Sequence, residues 1–301
     1  MIRILIADEI DTAGFALLSP KKFHIKTEFG ISNSGIIKKY RNYNVLVIRS
    51  IRKIDRNFLD KVKFDVIATC SKGTDHIDAE YCAGKDIKII NADDSNNISA
   101  AEHTLAMILA IYKNLMFSDS LVRNNRFTFY DYERREIYGK SIGIIGFGKV
   151  GSYVGKLCRT FGMKVYANDT DRRVWIREKD FNFKNLNFIL KNCEIITVHI
   201  PLNKKNYRFI SEKKLKQIPD TTVFINTSRG DVVDEKALFG LLKVKKIKFA
   251  GLDVFSNEPF VYRGFSGLNN VLLTNHIAGK TKESRRNVSV NIFKSIKKNY
   301  S

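Results

Sequence analysis

The stretch Gly146-Phe-Gly148-Lys149-Val150-Gly151 sets three glycines in a GxGxxG pattern, directly after the apolar run Ser141–Ile145 and at the head of a helical pattern. In that setting the first glycine permits a tight turn, the second lets the backbone approach a pyrophosphate, and the third lets helix and strand pack closely. The helix start, where Lys149 and Val150 stand, then turns its amides toward the anion. A carboxylate, Asp169, ends the next apolar run 21 residues beyond Gly148. That spacing suits an acid that binds adenosine ribose hydroxyls and repels a 2′-phosphate, so the pair reads as a site for NAD in preference to NADP. Arg172 and Arg173 lie just beyond and could soften that preference, although a solvated charge pair is the simpler reading.

Three later segments follow apolar runs in the same way: Asn226-Thr227-Ser-Arg229-Gly230, Gly251-Leu-Asp253-Val-Phe-Ser-Asn-Glu258-Pro259 and Thr274-Asn-His276-Ile-Ala-Gly279. Loops at the carboxyl ends of strands form the ligand crevice of an open α/β sheet, so Arg229, Glu258 and His276 can converge although they are 29 and 18 residues apart. An imidazole is the natural proton carrier near neutral pH, and a guanidinium grips a carboxylate through its planar fork.

The elements that must position these groups are legible as alternating short apolar runs and amphipathic stretches. Ile2–Ala7, Asn44–Ile48, Asp65–Thr69 and Ile87–Ile90 come first, then Ser141–Ile145, Lys164–Ala167, Ile195–His199, Thr222–Ile225, Phe249–Asp253 and Val271–Leu273. This alternation predicts an α/β fold with two Rossmann-like lobes built on parallel sheets. A helix is predicted from Ser99 to Leu115, with Ser99 and Glu102 as a capping box, and another from Thr281 to Lys298 that packs back onto the first lobe. Between them lies a charged arm from Arg123 to Tyr138.

With these motifs in this order, the chain resembles the D-isomer-specific 2-hydroxyacid dehydrogenase family over nearly its whole length. The resemblance rests on GFGKVG, the His199-Ile-Pro201-Leu segment, NTSRGDVVDE, GLDVFSNEP and the HIAG turn. It implies a flavodoxin-like substrate lobe made of residues 1–98 plus 280–301, with an NAD-binding lobe of residues 99–279 inserted into it. It also implies that Arg229, Glu258 and His276 are the catalytic trio, with His276 the base in oxidation and the acid in reduction. Glu258 would fix its tautomer, and Arg229 would hold the substrate carboxylate. Asp253 matches a position that meets the carboxamide side of the nicotinamide; His199, Pro201, Thr227 and Gly279 match cofactor-lining turns.

In the first lobe, Arg49 and Ser50, the loop Ser71-Lys72-Gly73-Thr74, and Asn96 match substrate-facing positions, Asn96 through the phosphoglycerate dehydrogenases of the family. Lys72 departs from the small or apolar residue usual there, and Asn275 from the usual Pro. With Arg49, Lys72 adds positive charge suited to a phosphorylated acid, which ranks 3-phosphoglycerate, and with it serine biosynthesis, ahead of glyoxylate, hydroxypyruvate or D-lactate. No appended regulatory domain is expected, and the resemblance implies a homodimer through the cofactor lobe, with the arm from Leu121 to Tyr138 at the contact.

Composition bounds the rest. The 301 residues, 44% hydrophobic, exclude a disulfide-stapled miniprotein and a disordered polycation. Fifty-two Lys and Arg against 31 Asp and Glu give a formal net charge of +21, with no long basic block. Such a field attracts nucleic acid, anionic membrane or acidic substrate alike, and a general bias toward Lys accounts for it most simply. A nucleotide-sensing co-repressor of the same fold is the alternative from another class. Cys70, Cys82, Cys158 and Cys193 form no CxxC pair and have no His at ligand spacing, so no metal site is expected. The N-terminus lacks the regions of a signal peptide and no run reaches the ~18 apolar residues of a membrane span, so a cytoplasmic protein is expected.

Overall fold

The computed structural model describes residues 1–71, 73–92, 95–127, 133–259 and 262–301; Lys72 and part of the charged arm lie outside them. The chain divides into two compact units, residues 1–96 with 280–301 and residues 97–279.

Unit 1 carries β1 (Ile2–Ile6), β2 (Phe23–Thr27), α1 (Asn33–Tyr40), β3 (Val45–Ile48), α2 (Arg56–Leu59), β4 (Val66–Thr69), α3 (Ala79–Gly84) and β5 (Lys88–Asn91). All strand pairs are parallel, in the order β2-β1-β3-β4-β5. Strand order reverses between β1 and β3, the switch point of a flavodoxin-like sheet, and such points open a crevice at the strands' carboxyl ends. Side chains alternate between two buried faces. Leu5 and Ala7 pack with Ile36, Phe58 and Leu59 of the helices on one side, while Ile4 and Ile6 pack on the other with Ile292, Phe293 and Ile296. Fully buried parallel strands therefore read as continuous apolar runs, as Val45–Ile48 does.

Unit 2 begins with α4 (Asn97–Lys113) and α5 (Leu115–Arg123). It continues through β6 (Ser141–Ile145), α6 (Lys149–Thr160), β7 (Lys164–Asn168), α7 (Arg172–Arg177), β8 (Asn182–Phe183), α8 (Leu186–Asn192) and β9 (Ile195–Val198). After these come α9 (Glu212–Leu215), β10 (Val223–Asn226), α10 (Glu235–Lys243), β11 (Phe249–Leu252) and β12 (Val271–Leu273). The seven strands are parallel in the order β12-β11-β10-β9-β6-β7-β8, with the reversal between β6 and β9. Phe224 and Ile225 point into cores on opposite faces, so this sheet too is covered on both sides. The last helix, α11 (Lys282–Asn299), returns to unit 1, capped by the Thr281 side chain on the Ser284 amide at 3.1 Å.

The two parallel α/β sheets agree with the architecture expected from sequence. Two strands escape that reading, β2 and β8, both at sheet edges; β2 buries only Phe23 of its five residues and β8 has two residues in all. One helix boundary also differs. Helix α4 starts at Asn97, so Ser99 sits buried inside its first turn and is not its cap. Asn114, at φ 51°, breaks the helical path between α4 and α5, which are bent by 60°. Among the described residues no single helix is long and apolar enough to cross a membrane.

Candidate active site

The glycine turn sits at the switch point of unit 2. Gly146 adopts φ +88°, a conformation glycine takes at no steric cost. Its amide donates to Asn168 O at 2.8 Å, and a Cβ there would lie 2.7 Å from His199 O. A Cβ on Gly151 would lie 2.1 Å from Gly146 O, so helix α6 can meet the turn only through a glycine. Gly148, the N-cap of α6, differs: a Cβ built there meets nothing within 4 Å, so the space before the helix start is open. An open cradle lined by first-turn amides suits a pyrophosphate, and the residues present fit a dinucleotide. Asp169 follows β7 as expected from its spacing. It also braces the turn, accepting from the Phe147 amide at 2.8 Å through Oδ2 and from the Asp171 amide at 2.9 Å through Oδ1.

Asn226, buried at the end of β10, shapes the Arg229 loop. Its Oδ1 accepts from the Ser228 amide and hydroxyl at 3.0 and 2.9 Å, and its Nδ2 donates to Arg229 O at 3.0 Å. The Arg229 guanidinium donates to Ser228 O at 2.7 Å. Gly230 then passes so close to the loop after β11 that a Cβ would lie 2.0 Å from Phe255 C. That loop carries Glu258, whose Oε1 accepts from the Phe255 amide at 3.1 Å and whose Oε2 lies 2.6 Å from His276 Nδ1.

Burial alone would raise the Glu258 pKa. The His276 hydrogen bond and charge, the Phe255 amide and the positive charge of Arg229 outweigh it and hold the carboxyl below its ordinary range. An ionised carboxylate only accepts, so Nδ1 of His276 carries the hydrogen and Nε2 is the atom left to exchange a proton. Arg229, Glu258 and His276 thus form one electrostatic cluster.

His276 itself lies in the left-handed region at φ 56°. The residues around it are held by Asp253, which is wholly buried. Its Oδ1 accepts from Thr274 Oγ1 at 2.6 Å and the Ile277 amide at 2.9 Å, and its Oδ2 from the Ala278 amide at 2.9 Å. Burial would raise the Asp253 pKa, yet these bonds and one from His103 hold it below the ordinary carboxylate range. The carboxylate at the expected nicotinamide position therefore anchors the histidine loop.

His199 hydrogen-bonds Thr197 through Nε2 at 2.9 Å, and burial pushes its imidazole down to about 3, leaving the ring neutral. Pro201 O accepts from Asn206 Nδ2 at 2.8 Å, Thr227 Oγ1 lies 2.9 Å from Thr104 Oγ1, and Gly279 closes unit 2. Of the cysteines, burial pushes Cys70, Cys158 and Cys193 up to about 12, where a thiol is inert at physiological pH.

The residues expected to face substrate belong to unit 1. Arg49 follows β3 and its amide donates to Asp8 Oδ2 at 2.9 Å; Ser50 is exposed in the same turn. Gly73 follows β4, its carbonyl accepting from Ser71 Oγ at 2.8 Å, and Asn96 is the last residue before unit 2. Lys72 is outside the described residues. Sequence reasoning missed Arg52, whose buried guanidinium pairs with Asp8 at 2.7 Å and also donates to Asn33 Oδ1 and Ile31 O at 2.8 and 2.7 Å. It ties the ends of β1 and β3 at the unit's switch point.

Residues 105–278 match the family described as D-isomer specific 2-hydroxyacid dehydrogenase, NAD binding domain. The chain belongs to that family. Unit 2 accordingly carries the family's NAD-binding domain. A D-3-phosphoglycerate dehydrogenase of Methanocaldococcus jannaschii is 30% identical over 301 residues, covering 99% of this chain and 57% of that protein. The chain thus spans little more than half the length of that relative. A Staphylococcus aureus protein, named provisionally as a 2-hydroxyacid dehydrogenase, is 32% identical over 293 residues, 95% of this chain and 92% of the other. Among solved structures, a D-lactate dehydrogenase from Aquifex aeolicus complexed with NAD and lactic acid superposes with a TM-score of 0.86 at 27% identity, covering 99% of this chain and 95% of that one.

Proposed function

We propose that this protein is an NAD-dependent D-2-hydroxyacid dehydrogenase whose catalytic residues are Arg229, Glu258 and His276. The observation that carries the reading is the 2.6 Å contact between His276 Nδ1 and Glu258 Oε2, with the Arg229 charge acting on the same carboxylate. NAD, when bound, supplies or accepts the hydride at its nicotinamide ring. The chain's own residues handle the proton and the charge. His276 Nε2 takes the hydroxyl proton during oxidation and returns it during reduction, while Glu258 stabilises the imidazolium in the interval. Arg229 binds the substrate carboxylate by paired hydrogen bonds and polarises the adjacent carbonyl.

Preference for NAD is supported by Asp169 at the end of β7 and by the engagement of both nearby arginines. Arg173 pairs with Asp171 at 2.8 Å, and the Arg172 guanidinium lies 4.2 Å from the Trp175 ring centroid. For the substrate, the reading is 3-phosphoglycerate and 3-phosphohydroxypyruvate, a step of serine biosynthesis, with Arg49, Ser50, Lys72, Gly73 and Asn96 of unit 1 as recognition residues. The Methanocaldococcus jannaschii relative and the cationic Arg49 support it. The reading extends to a homodimer through unit 2, supported by exposed Leu115, Met116 and Val122 along α5 and by Phe127. Four free cysteines fit a reducing, cytoplasmic setting.

The test follows NADH absorbance with 3-phosphohydroxypyruvate, hydroxypyruvate, glyoxylate and pyruvate. Highest kcat/KM on the phosphorylated acid supports the reading. A preference for hydroxypyruvate or pyruvate would reassign the substrate, and no turnover on any acid, with salt-sensitive DNA binding instead, would favour the co-repressor-like alternative.

A further inference from the structure

Helix α4 buries Ala101, Leu105, Met107 and Ile108 in the core, yet places two polar residues, His103 and Thr104, side by side. Thr104 is fully buried. Its hydroxyl hydrogen goes to Ala100 O at 2.7 Å, one turn back, so the lone pair it turns to Thr227 Oγ1 at 2.9 Å must accept. Thr227 stands two residues before Arg229.

The same proton count orients His103. Thr274 Oγ1 gives its one hydrogen to Asp253 Oδ1 at 2.6 Å, so at the 3.2 Å contact with His103 Nε2 it is the imidazole that donates. The same Nε2 lies 3.5 Å from Asp253 Oδ1. A chain of donors runs from His103 through Thr274 to Asp253, whose oxygens hold the Ile277 and Ala278 amides on the far side of His276. Support on both flanks is what a histidine at φ 56° requires, because that conformation disfavours any residue with a Cβ.

We propose that His103 and Thr104 are positioning residues: through Thr274 and Thr227, they hold the loops of His276 and Arg229 to one helix at fixed separation. The inference rests on the dehydrogenase reading for its catalytic consequence, and on hydrogen bonding alone for the anchoring itself.

The experiment compares His103→Leu and His103→Asn, which lose or shorten the donor, with His103→Gln, whose amide nitrogen can reach the Nε2 position. Thr104→Val is paired with Thr104→Ser. Amide hydrogen exchange on the protein without cofactor is read at Ile277 and Ala278, with core amides of β6 and β9 as the check on folding.

Without the donor, exchange at Ile277 and Ala278 accelerates about tenfold or more. The kcat on the best 2-oxo acid falls roughly tenfold, within the ~100-fold that a 1 Å misplacement can cost, while the KM for NADH stays within about twofold. His103→Gln restores both readouts to within about threefold. Thr104→Val lowers kcat without moving the Ile277 and Ala278 amides, and Thr104→Ser restores it.

Unchanged exchange and kcat in His103→Leu and His103→Asn would overturn the proposal, as would a Gln variant as impaired as the Leu variant, since packing alone would then be at stake. Were the wild-type protein to turn over no 2-oxo acid, the dehydrogenase reading would fall, while the exchange result would still decide the anchoring.

Discussion

Gly230 is where the Arg229 and Glu258 loops touch, and replacing it with Ala tests whether their separation matters. A Cβ there would lie 2.0 Å from Phe255 C, 2.3 Å from Ser256 N and 2.4 Å from Phe255 O, against the 3.0 Å below which real Cβ contacts essentially never fall. Every one of those atoms is backbone, so no side chain can swing aside, and the two loops must part by about 1 Å. The Phe255 amide holds Glu258 Oε1 at 3.1 Å, so Glu258 moves with it and away from the Arg229 charge. Two effects on stability oppose each other. Ala stiffens the unfolded chain, which by itself stabilises by about 0.4–1 kcal/mol, whereas overpacking a tight site costs about 1–3 kcal/mol. The second wins, and Gly230→Ala is less stable by about 1–2 kcal/mol. For a misplacement of this size, kcat falls by as much as ~100-fold. NADH affinity falls much less than kcat, because the Gly146–Gly151 turn is built on another strand. Thermal melts, stopped-flow turnover and NADH titration read the three quantities. A variant that melts higher than the wild type, with kcat within about threefold, would refute the reasoning.

Removing the Arg52 guanidinium strands the Asp8 carboxylate, which is 5% exposed, so Arg52→Ala loses about 3–5 kcal/mol in urea unfolding, and Asp8→Ala in the same chain recovers part of it. A loss below about 1 kcal/mol in the single variant would show the pair to be incidental. Asp253 has a folded pKa depressed below its ordinary 3.8, so its contribution to stability is present above that pH and disappears as the pH drops through the folded value. The acid limb of a stability-against-pH curve is therefore shallower in Asp253→Asn than in the wild type, and parallel limbs would count against the anchoring network. Gly151→Ala pushes a Cβ to within 2.1 Å of Gly146 O and closes the phosphate cradle. Calorimetric NAD affinity falls at least ~10-fold, since the turn must unpack to admit the methyl group; retained affinity would place the cofactor elsewhere.

Sequence made the two sheets legible because parallel strands covered on both faces are runs dominated by Ile, Val and Leu, as in Val45–Ile48 and, with one Thr, Ile195–Val198. It failed at β2 and β8, edge strands that bury too little to leave such a run. The Ser99 and Glu102 pattern misplaced a helix start because a serine in a first turn looks, in sequence, like one at a cap. The glycines and the Arg, Glu and His were legible because they sit at loop positions that follow strands in chain order. The groups that hold them were not. His103 and Thr104 read as ordinary polar positions on a helix, and their partners Thr274 and Thr227 lie 171 and 123 residues away. Nothing in the sequence sets Arg52 apart from the other cations of a lysine-rich chain, and its buried pairing with Asp8 joins residues 44 apart. Asp253 was singled out, but three of its bonds come from Thr274 and two main-chain amides 21 to 25 residues downstream, which no spacing rule reports.

The most direct measurement is the fate of deuterium from reduced cofactor carrying deuterium at both C4 positions of the nicotinamide, incubated with a 2-oxo acid and with wild-type, Arg229→Ala and His276→Ala protein. The account predicts label at C2 of a product of D configuration with the wild type, and loss of transfer in both variants while each still binds NADH. Unlabelled product, an L product, or near-normal transfer in either variant would contradict it.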